Sequence, residues 1–511
     1  MEHVTPIISR RIAIQAGLAA GTLAVLPDSS SAQWGRGMGQ GRGMGQKPQG
    51  PQQGQGSEGT GTPTPVDPNN PAIVWRRGRC EMCDHCEKSC GMTQAVRGYY
   101  DLNKTHGRPI CIHCGQCTNL CKNEAMIERY QYPYAKRVLQ TKEIASVISV
   151  APAVRVSLGE LFNLPQGTNV EGKVVAALKK LGFQHVLDAT FGADLTVVEE
   201  ATELVERLKS DKPSKFPMFT SCCPGWVKFA EYWYPEFLPH LSSARSPLLM
   251  QGALVKTYYA QQLGLQPDKV ASMLVAPCTA KKFEIYRREM NAAGRFLKND
   301  DIRDMDLAIT VRELGRWIQE SGIDFKNLEP QPFDSIMGRG SEAGLIFGNT
   351  GGVMEAALRT AWFMVNNSPA PENLLKFEPI RGLDAVREAE VDLGAKKIRV
   401  AAVHGGRNTR NLMDKIRAGE ASYDFVEVMI CPGGCVGGGG QPKVQGRVAF
   451  QEVRKNRSAG LYQMATDDKI RYAHENPEVL KAYADFLLKD GADLRAQLLH
   501  TTYTDRSADL G

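Results

Sequence analysis

A strong net charge is absent from this sequence. The 511 residues include 62 Lys and Arg against 56 Asp and Glu, which leaves a formal net charge of +6 without any long basic run. Proteins dedicated to nucleic acids concentrate positive charge to neutralise phosphates. The composition therefore argues against a nucleic-acid-binding protein, and we expect no nucleic-acid partner.

A hydrophobic run long enough for a transmembrane helix is also missing. The best candidate, residues 12–26, is rich in Gly and Ala and shorter than the about 20 residues that span a bilayer. It follows Arg10-Arg11 and precedes the small residues Ser30-Ser31-Ala32, as in a twin-arginine signal peptide. We predict a signal peptide over residues 1–32 and a periplasmic protein that meets a membrane only through export or a retained signal segment. A disordered basic tail or an uncleaved membrane anchor is the alternative, and without export the protein is cytoplasmic.

Residues 33–72 are rich in Gly, Gln and Pro. Such a composition cannot bury enough apolar surface to offset the entropy that ordering costs. We predict a flexible linker without chemistry of its own.

The thirteen cysteines do not form the pattern of a disulfide framework, because their number is odd and their spacings are short and regular. Eight fall between residues 80 and 121, and the other five occur in three short motifs further along. Buried structural thiols would be scattered instead. The clustering predicts metal binding.

The first eight cysteines form two quartets, each spaced x2, x2, x3. In ferredoxins with this spacing, three cysteines of a quartet bind one cluster and the fourth binds the other. We therefore predict two 4Fe–4S clusters within residues 73–135, a ferredoxin-like (α+β) domain that conducts electrons. The first ligand set is Cys80, Cys83, Cys86 and Cys121, and the second is Cys111, Cys114, Cys117 and Cys90. A pair of zinc sites would leave half of each quartet unexplained, and His85 and His113, inside the motifs, are expected on the surface.

From about residue 144, short apolar runs alternate with helical patterns. This alternation predicts an α/β domain with largely parallel sheets over residues 136–445. Strands are expected at 147–154, 185–188, 273–275, 307–310, 398–403 and 425–430, and helices at 170–181 and 195–208.

Three motifs carry the remaining cysteines: Thr220–Trp226 with Cys222 and Cys223, Ala276–Glu284 with Cys278, and Cys431–Cys435 followed by a glycine run. Each follows a predicted strand, so the three could converge in one cleft at the carboxyl ends of the strands. Four thiolates suffice for a third 4Fe–4S cluster and leave one thiol free. On spacing alone, a purely structural or electron-transfer cluster remains open.

Together with Ile346-Phe347-Gly348 and residues 350–357, these motifs resemble the conserved segments of iron-only hydrogenases, over residues 75–511. The resemblance implies a two-lobed α/β catalytic domain and the interconversion of H2 with protons and electrons. The cofactor that it implies is the H-cluster, a 4Fe–4S cubane joined through a cysteine sulfur to a two-iron unit with CO, cyanide and a dithiolate amine.

The resemblance also implies roles for individual residues. Cys222 would be the free thiol that passes protons, Lys281 would bind a cyanide, and Cys435 would bridge to the two-iron unit. Ala276 and Leu248 stand where members of the family usually have Met and Gln. The implied cubane ligands are Cys223, Cys278, Cys431 and Cys435, and the other residues at the cofactor are Ala276, Phe347 and Met429.

The proton path of the family maps onto Glu200, Ser242 and Glu203, with Arg207 near the outer end. Glu200 and Glu203 are three residues apart, so they share a helix face. The alternative is an ordinary surface ion pair between Glu203 and Arg207.

The last segment, residues 446–511, resembles the small subunit of two-chain periplasmic hydrogenases, and His500 within it is expected to be structural. The resemblance implies a redox partner, a cytochrome c or a ferredoxin, and hydrogenase maturation proteins. Two other functions remain: a hydrogen sensor with low turnover, and an iron–sulfur assembly protein. An assembly protein should lack the free thiol and the proton relay.

Overall fold

The computed structural model describes residues 63–210, 215–394, 396–444 and 449–511. The predicted signal peptide lies outside the described residues, as does most of the predicted linker. The strands are β1 (Ile73–Trp75), β2 (Met126–Glu128), β3 (Ala145–Val150), β4 (His185–Asp188), β5 (Met218–Phe219), β6 (Val270–Ala276), β7 (Leu307–Thr310), β8 (Val386–Asp392), β9 (Lys397–His404) and β10 (Phe425–Met429).

Helices connect and cover these strands. They are α1 (His85–Lys88), α2 (Gln116–Leu120), α3 (Tyr132–Leu139), α4 (Glu171–Leu181), α5 (Thr190–Lys209), α6 (Pro224–Trp233), α7 (Pro247–Leu254), α8 (Ala260–Gln262), α9 (Lys281–Glu284), α10 (Ala292–Phe296), α11 (Val311–Glu320), α12 (Glu342–Ile346), α13 (Gly352–Asn366), α14 (Glu372–Leu375), α15 (Gly406–Arg417), α16 (Phe450–Thr466), α17 (Pro477–Ala482) and α18 (Arg495–Leu498). Across the described ranges, no helix is long and apolar enough to cross a membrane.

Two four-stranded sheets form the two lobes of the α/β domain. The first has the order β4-β3-β6-β7 and is parallel throughout. The second has the order β5-β10-β9-β8 and is parallel except for the β8–β9 pair. Helices cover both faces of such sheets, which explains why their parallel strands are apolar runs without alternation. The predicted fold class, α/β with largely parallel sheets, is confirmed.

The predicted strands agree with the observed ones except at their ends. The strand expected over 147–154 stops at Val150, because Pro152 begins a 3-10 turn. The helices expected over 170–181 and 195–208 are α4 and α5, and α5 begins five residues earlier than expected.

Helix α5 joins the two lobes. Most of its 20 residues are buried, and it packs against α7 on one side and α13 on the other. It also carries five acidic side chains, of which three are buried: Asp194, Glu199 and Glu200. Glu203 lies one turn beyond Glu200, and Glu206 is exposed. An acidic helix in such a place requires partners for its carboxylates, and these partners form part of the site.

The ferredoxin-like unit is built around the antiparallel pair β1–β2. The predicted linker boundary at residue 72 is wrong, because residues 63–72 belong to this unit. Ala72 and Asn70 are buried, and the Asn70 side chain accepts hydrogen bonds from the backbone N–H groups of Ala72 and Ile73, at 2.9 and 3.0 Å.

The C-terminal segment packs against the catalytic domain and is hydrogen-bonded to it. An isolated β-bridge joins Ala244 to His500, and the backbone N–H of Arg245 donates to Leu499 O at 2.8 Å. Deeper in the segment, the Asn476 side chain donates to the buried Asp194 carboxylate at 2.7 Å. These contacts bring residues from the end of the chain to the same region as α5.

Candidate functional site

An apolar cavity of about 100 Å³ lies where the strands of both lobes end. The loops after β5, β6 and β10 carry the three cysteine motifs into it, as expected for the carboxyl ends of parallel strands. All five cysteines of these motifs line the cavity: Cys222, Cys223, Cys278, Cys431 and Cys435. Residues that are distant in sequence therefore meet in one place.

The thiols in this cavity are suited to binding iron. Burial, together with the neighbouring cysteines, raises the pKa of Cys278 to about 11 and shifts the pKa of Cys435 in the same direction. A cluster of buried thiols gives up its protons only when a metal replaces them. The donor set of Cys223, Cys278, Cys431 and Cys435 is that of a 4Fe–4S cluster.

Cys222 has different neighbours from Cys223. Burial raises its pKa well above the usual value, and the nearby Glu200 carboxylate adds to this shift. Cys223 immediately precedes α6, where backbone N–H groups near its sulfur favour the thiolate without overcoming burial. The two adjacent thiols thus lie beside different groups.

Lys281 places a positive charge at the wall of the cavity. Its Nζ donates to Glu284 Oε2 at 2.7 Å and to Cys222 O at 3.2 Å. Burial opposes the charge, but the Glu284 carboxylate outweighs burial, so the pKa of Lys281 lies above its usual value. Lys281 is held as a cation that can donate hydrogen bonds to an anionic ligand.

The rest of the wall is apolar. Ala276, Leu248, Phe347 and Met429 all line the cavity. The two departures from the family pattern, Ala276 and Leu248, therefore lie inside it. A small side chain at position 276 leaves space where a longer one would project.

Glu200 lies behind the cavity with one free oxygen. Its Oε1 accepts from the Ser221 N–H at 3.3 Å, while its Oε2 has no hydrogen-bond partner. Burial raises the pKa of Glu200 to about 8. The carboxyl group can therefore exchange a proton near neutral pH.

Glu203 lies one helical turn further out and is hydrogen-bonded on both oxygens. Its Oε2 accepts from Ser242 Oγ at 3.0 Å, and its Oε1 accepts from the Arg207 guanidinium at 2.5 Å. The Ser242 hydroxyl also favours the charged form of Glu200. The ion pair that was the alternative to a relay is present, but the same carboxylate also contacts Ser242.

The ferredoxin-like unit abuts the cavity. Cys431 Sγ lies 4.0 Å from Cys114 O, and the thiol of Cys431 contributes to raising the pKa of Cys114 after burial. Burial and Cys111 raise the pKa of Cys90 to about 12, with Cys86 contributing. Cys114, of the second predicted ligand set, therefore lies beside the cavity, whereas Cys83, of the first set, is exposed.

Glycines after Cys435 make this contact possible. A Cβ at Gly439 would lie 2.1 Å from Cys114 O, and one at Gly438 would lie 2.3 Å from Pro277 O. The glycine run thus packs between the ferredoxin-like unit and the second cysteine motif. A side chain at Gly439 would push the ferredoxin-like unit away, and one at Gly438 would collide with the second cysteine motif.

The prediction that His113 is a surface residue is wrong, because packing of the ferredoxin-like unit on α6 covers it. Its ring lies 2.7 Å from Lys228 Nζ and 3.1 Å from Asn70 Oδ1. Burial, and then the Lys228 charge, hold the pKa of His113 well below its usual value. His85, in contrast, is exposed as predicted.

Sequence reasoning missed three contributors to the site. Glu284 is the last residue of the second cysteine motif, but nothing in the sequence identified it as the partner of Lys281. Pro152 lines the cavity from the loop after β3. The end of the predicted strand was the one feature of the sequence that could have pointed to this loop. The Tyr503 hydroxyl donates to Ser242 O, a contact across 261 positions that no pattern reveals.

Two known protein families match most of this chain. The model of the iron-only hydrogenase large subunit, C-terminal domain, matches residues 144–439, and that of the iron hydrogenase small subunit matches residues 451–506. The second match agrees with the resemblance noted for the C-terminal segment.

Individual relatives are similar over long stretches. Iron hydrogenase 1 of Clostridium pasteurianum is 40% identical over 451 residues, which covers 86% of this chain and 77% of the relative. The periplasmic Fe hydrogenase large subunit of Nitratidesulfovibrio vulgaris is 43% identical over 390 residues, covering 75% and 89%. A solved FeFe-hydrogenase of Chlamydomonas reinhardtii aligns with a TM-score of 0.63 and 36% identity, covering 73% of this chain and 98% of that one.

Some relatives belong to a different functional class. The cytosolic iron-sulfur assembly component 3 of Bos taurus is 32% identical over 409 residues, covering 77% of this chain and 82% of the relative. Overall similarity therefore extends to two classes, and the side chains at the site must distinguish them.

Proposed function

The chain belongs to the iron-only hydrogenase family and is an oxidoreductase that interconverts hydrogen with protons and electrons at an H-cluster; from this premise we propose the roles of its own residues. The observation that carries the proposal is the convergence of five cysteines and Lys281 on one apolar cavity. When bound, the H-cluster supplies the iron at which hydrogen is split or formed. The protein must hold it, exclude water and deliver protons and electrons.

We assign the holding of the cluster to four thiolates and one cation. Cys223, Cys278, Cys431 and Cys435 would hold the cubane, and Cys435 would also help to hold the two-iron unit. Lys281, fixed by Glu284, would donate a hydrogen bond to a cyanide ligand. The apolar wall of Ala276, Phe347 and Met429 keeps bulk water away, which strengthens every charge interaction inside the site.

Proton movement is assigned to Cys222, Glu200, Ser242 and Glu203. Cys222 lines the cavity, Glu200 lies close enough to shift its pKa, and Glu203 is hydrogen-bonded to Ser242. Relay groups must be within hydrogen-bond reach, directly or through one water. The unpartnered Glu200 Oε2 is the acceptor that such a relay requires.

Electron movement is assigned to the two 4Fe–4S clusters of the ferredoxin-like unit. The support is the position of Cys114, of the second ligand set, beside Cys431 at the cavity. The first ligand set lies nearer the surface, since Cys83 is exposed. Electrons would leave to a soluble redox protein, a cytochrome c if the chain is exported and a ferredoxin if it remains in the cytoplasm.

Export to the periplasm and insertion of the H-cluster by hydrogenase maturation proteins complete the proposal. The support for export is the Arg10-Arg11 pattern together with the periplasmic relative and the small-subunit match. Folded export suits a protein whose clusters are inserted before it crosses the membrane.

The two alternatives make different demands on the site. An iron–sulfur assembly protein needs the cubane ligands but has no use for Cys222, Lys281 and the carboxylates of α5. A hydrogen sensor needs the cofactor but little turnover. The presence of Cys222, Lys281, Glu200 and Glu203 together at the cavity and behind it favours the enzyme over both.

The proposal is tested by anaerobic maturation followed by a hydrogen-evolution assay with reduced methyl viologen as electron donor. We expect sustained evolution from matured protein and none from the same protein left without maturation. Matured protein that evolves no hydrogen yet donates clusters to an apo-ferredoxin would instead identify an assembly protein. Full cofactor content with only marginal turnover would identify a sensor.

A further inference from the structure

We propose that His500, together with Ser243 and Glu199, forms a second proton branch that joins the relay at Glu203. The inference rests on the proposed proton relay, which it extends to solvent through the C-terminal segment. The branch differs from the outer end at Arg207, because it ends in a side chain that can both take up and release a proton.

The backbone fixes His500 against the loop that carries the relay serine. Its β-bridge to Ala244 is flanked by two backbone hydrogen bonds of 2.8 Å, from Arg245 N to Leu499 O and from Thr501 N to Ser243 O. The imidazole is therefore placed over Ser243 by main-chain pairing rather than by chance side-chain contact.

The side chains then form an unbroken chain of hydrogen-bond distances. His500 Nδ1 lies 2.9 Å from Ser243 Oγ, which lies 3.2 Å from Glu203 Oε2. On the other side of the ring, His500 Nε2 lies 3.0 Å from Glu199 Oε2. Glu199 and Glu203 are one turn apart on α5, so a single helix face holds both ends of the chain.

Glu199 is a positioning residue in this arrangement. A carboxylate can only accept, so it requires the proton on Nε2 and leaves Nδ1 directed at Ser243. The Glu199 side chain is 3% exposed, and its other oxygen accepts from the Tyr483 hydroxyl. The His500 side chain is 24% exposed, so the ring is also the point where the chain meets solvent.

The transfer is balanced without any further reactant. In the imidazolium form, Nδ1–H donates to Ser243 Oγ, and the Ser243 hydroxyl donates to Glu203 Oε2. The N–H and O–H bonds break while new O–H bonds form on Ser243 and Glu203, which leaves neutral His500 and protonated Glu203. The reverse sequence releases a proton during hydrogen oxidation.

Charged groups on the surrounding elements interact with the His500 imidazole. Glu199 faces it from α5, and Asp493, whose pKa is lowered chiefly by its hydrogen bond to Arg495, is also influenced by His500. Arg495 in turn is influenced by Glu199. Asp493 and Arg495 lie on the C-terminal segment with His500 itself, so the branch exists only where that segment is present.

The test compares His500→Gln and Ser243→Ala with the parent in hydrogen evolution across pH. We expect each to lower turnover about three- to tenfold near neutral pH, a modest share of the about 10²- to 10⁴-fold that proton-transfer groups contribute. The loss should shrink at acidic pH, where hydronium reaches Glu203 directly. Imidazole in the buffer should restore His500→Gln, and Ser243→Thr, which keeps the hydroxyl, should lose less turnover than Ser243→Ala.

The matched control is His474→Gln, a histidine of the same segment whose Nδ1 lies 3.1 Å from the Thr360 hydroxyl. It should leave the pH profile unchanged. Infrared CO and cyanide bands on every variant show that the cofactor is intact. If His500→Gln does not fold, Ser243→Ala carries the test, because it removes only the bridging hydroxyl.

Glu203→Ala separates failure of this branch from failure of the whole relay. Parent-like turnover in Glu203→Ala would refute the proposed relay itself. A large loss in Glu203→Ala, with parent-like profiles in His500→Gln and Ser243→Ala, would overturn only the branch. A loss in both branch variants that is independent of pH and unaffected by imidazole would show a structural role for His500 and would equally overturn the branch.

Discussion

Two adjacent cysteines, Cys222 and Cys223, have opposite roles in this account, and substitution separates them. Cys223→Ala removes a cubane ligand and should deplete the H-cluster. Cys222→Ala should leave the cluster assembled but lower turnover by about two orders of magnitude or more, because a proton carrier is lost. Aspartate at position 222 should recover part of the activity, since it can carry a proton, and serine should recover little.

Hydrogen evolution and the CO and cyanide infrared bands are measured on the same samples. Near-normal turnover in Cys222→Ala, or loss of the bands in that variant, would show that the two roles are assigned wrongly.

Burial of Glu200 lowers the stability of the folded state but suits the residue to proton transfer. Burial raises its pKa from 4.5 to about 8, so the folded state retains a proton that the unfolded chain releases. Between these two values the folded state binds more protons, and the cost of Glu200 to stability therefore begins above pH 4.5 and grows until about pH 8. Glu200→Gln should unfold at a higher urea concentration than the parent at pH 8, equally at pH 4, and lose about 10²-fold in turnover.

The control for this substitution is Glu206→Gln, which changes an exposed carboxylate on the same helix. It should alter neither urea unfolding nor turnover. A Glu200→Gln variant that is less stable at pH 8, or as active as the parent, would contradict the assigned role.

Helix α11 connects the ferredoxin-like unit to the catalytic domain through the side chain of Arg312. Its guanidinium binds Glu128 of β2 at 2.8 Å, Asn119 of α2 at 2.7 Å and Gly439 O at 2.6 Å. Burial works against the Glu128 charge, but Arg312 outweighs burial and lowers the pKa of Glu128 to about 2. The pair therefore stabilises the fold above pH 4.5 and loses this effect as the pH falls towards 2.

Arg312→Ala should reduce the free energy of unfolding by about 3–5 kcal/mol at neutral pH, because it leaves a buried carboxylate unpaired. Urea unfolding measures the difference, which should narrow between pH 4.5 and 2. Arg316→Ala on the same helix is the control, since Arg316 is 42% exposed and its pair with Glu124 should contribute less than about 1 kcal/mol. Equal effects of the two substitutions would refute the special role of Arg312.

Much of the secondary structure follows from local pattern. The strand at 307–310 was predicted to the residue and that at 185–188 at its start, because an apolar run bounded by polar residues marks a buried strand. The short β5 and the antiparallel β8 were not predicted. With two residues, β5 has no period, and β8 alternates burial because only one of its faces is covered.

The cysteine motifs and the strands that precede them indicated that the three motifs meet in one cleft. The hydrogen-bond partners of individual side chains could not be predicted. His113 and His500 were both interpreted from their local surroundings, and their contacts come from residues 115 and 257 positions away. Such contacts depend on how domains pack, which no spacing within a motif encodes.

Across the whole chain, the twin arginines should decide location. Changing both Arg10 and Arg11 to Lys should retain the protein in the cytoplasm, because the export route reads the paired guanidinium groups. Fractionation of the periplasm, with hydrogen evolution assayed in each fraction, measures the outcome. Arg10 and Arg11 are not among the predicted cluster ligands, so cofactor content should be unaffected. An unchanged distribution between compartments would reject the signal.

The most direct measurement of the central claim is an infrared spectrum of anaerobically purified, maturase-treated protein, with iron determined on the same sample. We expect bands of iron-bound CO and cyanide and about 14 iron atoms per chain, enough for three cubanes and a two-iron unit. Fully matured protein without these bands, or with iron for only two cubanes, would contradict the assignment of the cavity to an H-cluster.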